Sequence, residues 1–190
     1  MTNQETRPNT VYQFKVTLKD IRPPIWRRFQ VPNSITLYKL HLVLQEVMGW
    51  FNCHLYEFII RSITYGDPDP EYGQTDFNSR RVRLWQVISK PRSSFTYVYD
   101  FGDDWRHQVI LEKVIPSAEE LRYAVCLAGA RACPPEDCGG PCGYERLLEI
   151  ISNPEHEEYH EMIEWLGGGF DPEVFDLYEV NMRLRQIRLR

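Results

Sequence analysis

The chain has 190 residues, of which 43% are hydrophobic, 26% charged and 13% aromatic: enough apolar material for a domain-sized core and too much for a disordered chain. No apolar run approaches the roughly 18–20 residues that span a bilayer, and the first ten residues lack the charged-then-apolar layout of a signal peptide. Five cysteines, an odd number, argue against a secreted disulfide scaffold, so the expectation is a cytoplasmic protein with reduced thiols and no membrane partner.

Residues 1–10 read as a disordered tail and residues 11–190 as a single domain. From Tyr12 the chain alternates, with Tyr12, Phe14, Val16 and Leu18 on one face and Gln13, Lys15, Thr17 and Lys19 on the other, the period of a half-buried strand. Arg22-Pro23-Pro24 breaks it, and Ile25–Val31 reads as its antiparallel partner. Pro32-Asn33-Ser34 then leads to a helix from about Thr36 to Trp50, whose apolar stripe is Leu37, Leu40, Leu44, Val47 and Met48. His41 flanks that stripe as a hydrogen-bonded structural histidine. His54–Tyr65 is strand-like, and Gly66–Ser79 is a turn-rich surface loop. Leu84–Ile88 fits a short helix or a strand.

Phe95–Asp100 and Trp105–Ile115 form a hairpin around Phe101-Gly102-Asp103-Asp104. Ser117–Leu121 reads as a helical turn, Tyr123–Leu127 as a short strand, and Ala128–Gly143 as a loop rich in Gly, Pro and Cys. A short helix follows over Tyr144–Ser152. Asn153-Pro154 starts another that runs to Trp165 and ends at Gly167-Gly168-Gly169. Asp171-Pro172 repeats the device for a last segment to about Leu189. Strands with one early helix, then a helical C-terminal part, predict an α+β fold with a mainly antiparallel sheet.

Two polar constellations carry chemistry. In the first, Asp100, Asp103, Asp104 and His107 crowd a hairpin tip beside Tyr99 and Trp105. Clustered carboxylates attract a divalent cation, and an imidazole can ligate or shuttle protons; alternatively, turn aspartates bind their own backbone. In the second, Pro134-Pro135 stiffens a loop that presents Glu136 and Asp137. These six residues are the candidate catalytic set. Cysteines in the same loop suggest a separate zinc set: Cys138 and Cys142, then His156 and His160 one helical turn apart. Reduced, partly buried cysteines are the alternative. The chain has no phosphate-binding P-loop, no Gly-x-Gly-x-x-Gly turn, no Gly-x-Ser-x-Gly elbow and no His-Glu-x-x-His helix.

Charge is unevenly divided: residues 1–100 balance at +4 and residues 101–190 at −9, within a net −5. Asn153–Met182 holds nine acidic residues and no Lys or Arg, a face that repels a phosphate backbone. Nucleic acid is therefore expected, if anywhere, only on the side of Arg22, Arg27 and Arg28.

The motifs Arg22-Pro23-Pro24-Ile25-Trp26-Arg27-Arg28, Gly49-Trp50 and His54-Leu55-Tyr56-Glu57-Phe58 form a series. Tyr99-Asp100-Phe101-Gly102-Asp103-Asp104-Trp105-Arg106-His107, Cys133-Pro134-Pro135-Glu136-Asp137-Cys138-Gly139-Gly140 and Glu164-Trp165-Leu166-Gly167 continue it. Together they resemble the plasmid Ri (pRiA4b) ORF-3-like family over about Tyr12 to Leu184. The resemblance implies a link to plasmids and mobile elements, and a label, TnpR-like passenger protein, that would mean a serine resolvase. That chemistry needs a nucleophilic serine among arginines near the N-terminus and a basic DNA-binding tail domain, neither of which this sequence carries. Two functions stand as expectations: a non-catalytic binding or regulatory module, accessory to mobile-element or nucleic-acid processes, or a divalent-metal-dependent hydrolase of phosphoester type. They separate on whether the 100–107 tip and the 133–142 loop meet in one cleft.

Overall fold

The computed structural model describes residues 10–68, 75–119 and 121–189. The alternating segment becomes β1 (Thr10–Leu18), which buries Tyr12, Phe14, Val16 and Leu18. Its backbone is hydrogen-bonded on both edges, to β2 (Trp26–Pro32) and β7 (Trp105–Pro116), both antiparallel. The sheet is completed by β3 (Tyr56–Ile60), β4 (Ile63–Gly66), β5 (Phe77–Asn78), β6 (Ser94–Tyr99) and β8 (Val125–Ala130). The strand order is β5-β4-β3-β6-β7-β1-β2-β8. Only β4 and β5 pair in parallel, so the sheet is mainly antiparallel and the fold is α+β, as expected.

Five helices are described: α1 (Leu37–Met48), α2 (Leu84–Val87), α3 (Gly140–Ser152), α4 (Tyr159–Trp165) and α5 (Leu177–Leu184). Thr36 opens α1 by accepting the Lys39 N–H at 3.2 Å, and Gly49, at φ 100°, closes it in the left-handed region. Its stripe of Leu37, Leu40, Val43, Leu44 and Val47 shares one core with Phe14, Phe29, Phe58 and Tyr97 of the sheet.

Several boundaries differ from the sequence reading. His54–Tyr65 is a hairpin rather than one strand, because Arg61 and Ser62 both adopt positive φ, 51° and 65°, and form a two-residue turn that reverses the chain. The loop expected from Ala128 to Gly143 is β8 at one end and the first turn of α3 at the other. Asn153 ends α3, with its N–H on the Ile150 carbonyl, and turns follow, so α4 starts only at Tyr159. The last helix is capped by Asp176, which accepts the Glu179 N–H at 2.9 Å; Asp171 instead closes a turn on Glu173. The expected tail lies outside the described residues except for Thr10, which opens β1, and so do residues 69–74 of the turn-rich loop.

The three arginines expected to form a basic side separate. Arg22 is exposed, and Arg28 makes a two-pronged pair with Glu112 at 2.7 and 2.9 Å. Arg27 is 2% exposed and has turned inward. Its Nε donates to the Val47 carbonyl at 2.8 Å, one terminal nitrogen to Trp26 at 2.9 Å and Ala130 at 2.8 Å, and the other to Arg131 at 2.7 Å. The guanidinium sits 4.3 Å from the Phe175 ring. No shared anion-binding surface results. Replacing Arg27 by Met orphans four carbonyls and should lower unfolding free energy by about 3 kcal/mol or more, whereas Arg28→Ala should cost less than about 1 kcal/mol. Urea midpoints of the two variants test this, and equal losses would count against the inward arginine as a structural tie.

Candidate metal centre

Sheet register sets up the site. β3 pairs with β6 so that Tyr56 faces Tyr99, which brings the residues just before β3 alongside those just after β6. Those residues are Cys53-His54 and Asp100.

The first segment is held by buried polar groups. After Gly49, the Trp50 indole stacks on Tyr99 at 4.8 Å and donates its N–H to the Pro134 carbonyl at 3.1 Å. Asn52, at φ 57°, donates its backbone N–H to Gln45 Oε1 at 2.9 Å. Its side-chain oxygen lies 2.6 Å from Nε2 of His41, whose Nδ1 is 2.8 Å from the Tyr97 hydroxyl. Burial lowers the His41 pKa to about 4, so the ring is neutral at neutral pH. The arrangement that satisfies it has Nε2–H donating to Asn52 and Nδ1 accepting from Tyr97. His41 is thus the structural histidine expected from its place beside the apolar stripe.

The second segment is the tip. Asp100 is buried and left-handed, with φ 59°. Its Oδ1 accepts the N–H groups of Gly102 at 2.9 Å and Asp103 at 3.3 Å, which leaves Oδ2 to face His54 Nε2 at 3.6 Å.

The third is the stiff proline loop. Glu136 Oε1 accepts the Phe51 N–H at 2.8 Å and the Tyr99 hydroxyl at 3.0 Å. Burial, and then the Glu136 charge, raise the Tyr99 pKa and keep that phenol a donor. Asp137 follows at φ 56° and brings Oδ1 to 3.2 Å from His54 Nε2. Asp103 locks loop to tip by accepting the Gly139 N–H at 3.2 Å. Contact there is so close that a Cβ on Gly140 would lie 2.5 Å from the Asp103 carbonyl oxygen.

His54 Nε2 therefore faces Asp137, Asp100 and Glu136 at 3.2, 3.6 and 3.8 Å. Both His54 Nε2 and Glu136 Oε2 are buried with no hydrogen-bond partner. Two donors on one ion at ~2.1 Å lie about 3.0–3.4 Å apart in octahedral or tetrahedral geometry, so small side-chain shifts would seat a cation. Ligand atoms of His54, Asp100 and Asp137 all lie within 4.8 Å of one another, and so do those of Cys53, His54 and Glu136.

Of the candidate catalytic residues, Asp100, Glu136 and Asp137 come together. Asp103 braces the loop, and Asp104 pairs with Arg106 at 2.8 Å. His107 lies on the core side of β7, wholly buried, with Nδ1 3.1 Å from the Tyr97 carbonyl and its ring edge-on to Trp50. No three of Cys138, Cys142, His156 and His160 bring ligand atoms within 4.8 Å of one another. Burial pushes the Cys138 pKa up to about 12, which disfavours the thiolate a zinc ion needs, and His156 Nδ1 is taken by the Glu158 N–H at 3.1 Å. The candidate sets drawn from sequence contain neither His54 nor Cys53, and Tyr99 only stands beside them. The available signal was a polar Asn-Cys-His run wedged between a helix end and a strand.

The profile of the plasmid pRiA4b ORF-3-like proteins matches residues 10–179. The chain belongs to that family. It is 40% identical over 174 residues to the uncharacterized protein y4hQ of Sinorhizobium fredii, covering 90% of this chain and 89% of that one. A crystal structure of a protein of unknown function, MM3350 from Methanosarcina mazei Go1, superposes with a TM-score of 0.78 at 39% identity, covering 90% and 97% of the two chains. Family membership thus fixes the fold and brings no activity with it. Among the described residues no helix is long and apolar enough to cross a membrane.

Burial also lowers the His107 pKa to about 4. For His41 and His107 the unfolded chain binds protons that the folded chain refuses between pH ~6.5 and ~4. Their contribution is complete above about pH 6.5 and is lost as pH falls toward 4, on the order of 3 kcal/mol for each. Urea midpoints from pH 7.5 to 4.5 should fall, with a shallower slope in His107→Gln; an unchanged slope would mean that His107 titrates normally.

Proposed function

We propose that this protein is a divalent-metal-dependent hydrolase, with the cation on His54, Asp100 and Asp137 and with Glu136 as general base. The reading is carried by one observation: His54 Nε2 and Glu136 Oε2 are buried and without hydrogen bonds at the junction of three loops. Nε2 has only ion-pair contacts with the carboxylates, at 3.2 to 3.8 Å, and a buried polar atom without a hydrogen bond costs about 1–3 kcal/mol, a cost that a cation and its water would remove. Mixed imidazole and carboxylate donors suit Zn2+, Mn2+ or Fe2+. The meeting of the 100–107 tip with the 133–142 loop favours this reading over a non-catalytic module.

The roles follow from the hydrogen bonds. A bound cation supplies Lewis acidity and lowers the pKa of water. Asp100 is preset because its other oxygen is consumed by the tip's backbone. Asp137, with a side chain 70% exposed, forms the open side through which substrate enters. Glu136 is oriented by Phe51 N–H and Tyr99 on one oxygen, so the other is free to take a proton from the attacking water and pass it to the leaving group. The five free cysteines support a reducing, cytoplasmic setting.

Titration calorimetry of the full chain with Zn2+ and Mn2+ tests the centre. One cation per chain is expected, lost in His54→Ala and Asp100→Ala and retained in Cys138→Ser. Glu136→Gln should keep the cation and lose about 100-fold or more in turnover. No binding by the wild type, or loss on Cys138→Ser, would refute the assignment.

A further inference from the structure

Beside the His54 cluster runs a second feature that the ion site does not require. A cleft of about 420 Å3 is lined by Phe51, Pro134, Pro135, Glu136, Trp165 and Phe170, among others, and among the described residues no Lys or Arg contributes to its wall. Glu136 belongs to both features, so the cleft adjoins the cluster. Two large aromatic side chains on this wall are left in water, Phe51 at 83% and Trp165 at 51% exposure. Trp165 also borders a neighbouring cavity of about 310 Å3 that reaches Asp137. The one arginine in that cavity, Arg146, is already paired with Glu158.

We infer that the cleft seats an uncharged aromatic group of the substrate and that the bond cut beside it is a carboxylic amide or ester. This rests on the metal-hydrolase reading and names its substrate class. Volume suits a small-molecule site, and exposed aromatic walls gain from stacking on a flat apolar partner. Charge decides between bond types. Even with a dication seated, Asp100, Glu136 and Asp137 leave the centre one negative charge in excess, so a phosphoester adds charge of the same sign, and among the described residues no unpaired cationic side chain lines either of these two cavities. Lys39 and Arg188 line a third cavity, which meets the cleft at Gly49, Trp50 and Phe51 and does not reach Glu136 or Asp137. A neutral carbonyl meets no such repulsion. In the step, water adds to the carbonyl carbon, its proton moves to Glu136, and the carbon–nitrogen or carbon–oxygen bond breaks. The proton then passes to the departing amine or alkoxide, giving a carboxylic acid and an amine or alcohol.

Hydroxamates test this without turnover, since they chelate the cation through a carbonyl-like head. Calorimetry on the Zn2+-loaded full chain would compare benzohydroxamate, acetohydroxamate and phenylphosphonate. Benzohydroxamate should bind about tenfold tighter than acetohydroxamate, the size expected for burying one ring face, and tighter than phenylphosphonate. In Trp165→Ala that tenfold ratio should collapse while Zn2+ and acetohydroxamate affinities stay unchanged. Equal affinity of the two hydroxamates, or a ratio that survives that truncation, overturns the aromatic cleft and leaves the metal centre standing. Tighter phenylphosphonate binding overturns the carbonyl assignment, and Zn2+ bound with no hydroxamate affinity overturns the inference as a whole. A silent Zn2+ titration refutes the metal centre itself.

Discussion

The arrangement hangs on a cation with no counter-ion. Arg27 puts a guanidinium into the interior, and four backbone carbonyls, rather than a carboxylate, receive its protons. A buried charge is tolerated only when nearly every donor is satisfied. That demand ties three remote pieces of chain to one point: the end of α1 at Val47, the strand β2 that carries Arg27, and the exit of β8 at Ala130 and Arg131. The two segments that bear the site's imidazole and two of its carboxylates leave from these ends. Arg131 extends the tie by donating to the Pro23 carbonyl and to Glu173, which holds the proline loop's base against the C-terminal segment.

Above that anchor, the site is built from strained loops on a rigid floor. Asp100 and Asp137 both take left-handed backbone conformations, which cost a non-glycine residue roughly 1 kcal/mol or more. Neither strain is local decoration. Asp100 is held by its own turn and by the Leu55 carbonyl, and Asp137 by the proline loop before it and the Asp103–Gly139 bond after it. The floor is aromatic: Trp50 stacks on Tyr99, tilts against Trp105 and meets His107 edge to face beneath the loops. Carboxylates and an imidazole gathered on such a support offer a positive ion several ligand atoms at once. Stability has been placed in the floor and strain in the rim, as a binding centre requires.

The acidic character of the C-terminal half fits the same picture. Its carboxylates are mostly exposed on α4, α5 and the turns beside them, where they give this face a negative potential. The cysteines, crowded in sequence, behave as packing groups: Cys126, Cys133 and Cys138 all have pKa values raised by burial. Trp165, at the end of α4, is presented outward beside this acidic face, so one helix supplies both the repulsion of anions and an aromatic wall.

Much of the fold was legible in local pattern. Period-two alternation located β1, β2 and the β6–β7 hairpin, a stripe at helical spacing located α1, and the motif series identified the family. Part of the candidate cluster was legible too, since crowding and the stiffness of the proline loop mark Asp100, Glu136 and Asp137, which the fold brings together. Patterns failed where the deciding contact was distant. Arg27 read as a surface cation because nothing nearby in the chain reveals that Val47 and Ala130 will offer it carbonyls. Cys138, Cys142, His156 and His160 matched a ligand spacing, but turns after Asn153 delay α4 and spend His156 on a backbone N–H. His54 stood in a family motif but outside the candidate site, because its place there depends on β3 lying next to β6, an adjacency across some forty residues that periodicity does not encode. Sequence alone determined the elements, the fold class and the stock of ligating side chains, because propensity and alternation act over a few residues. Tertiary structure decided which of those side chains share a point in space, because strand order and one buried arginine set where the loops converge.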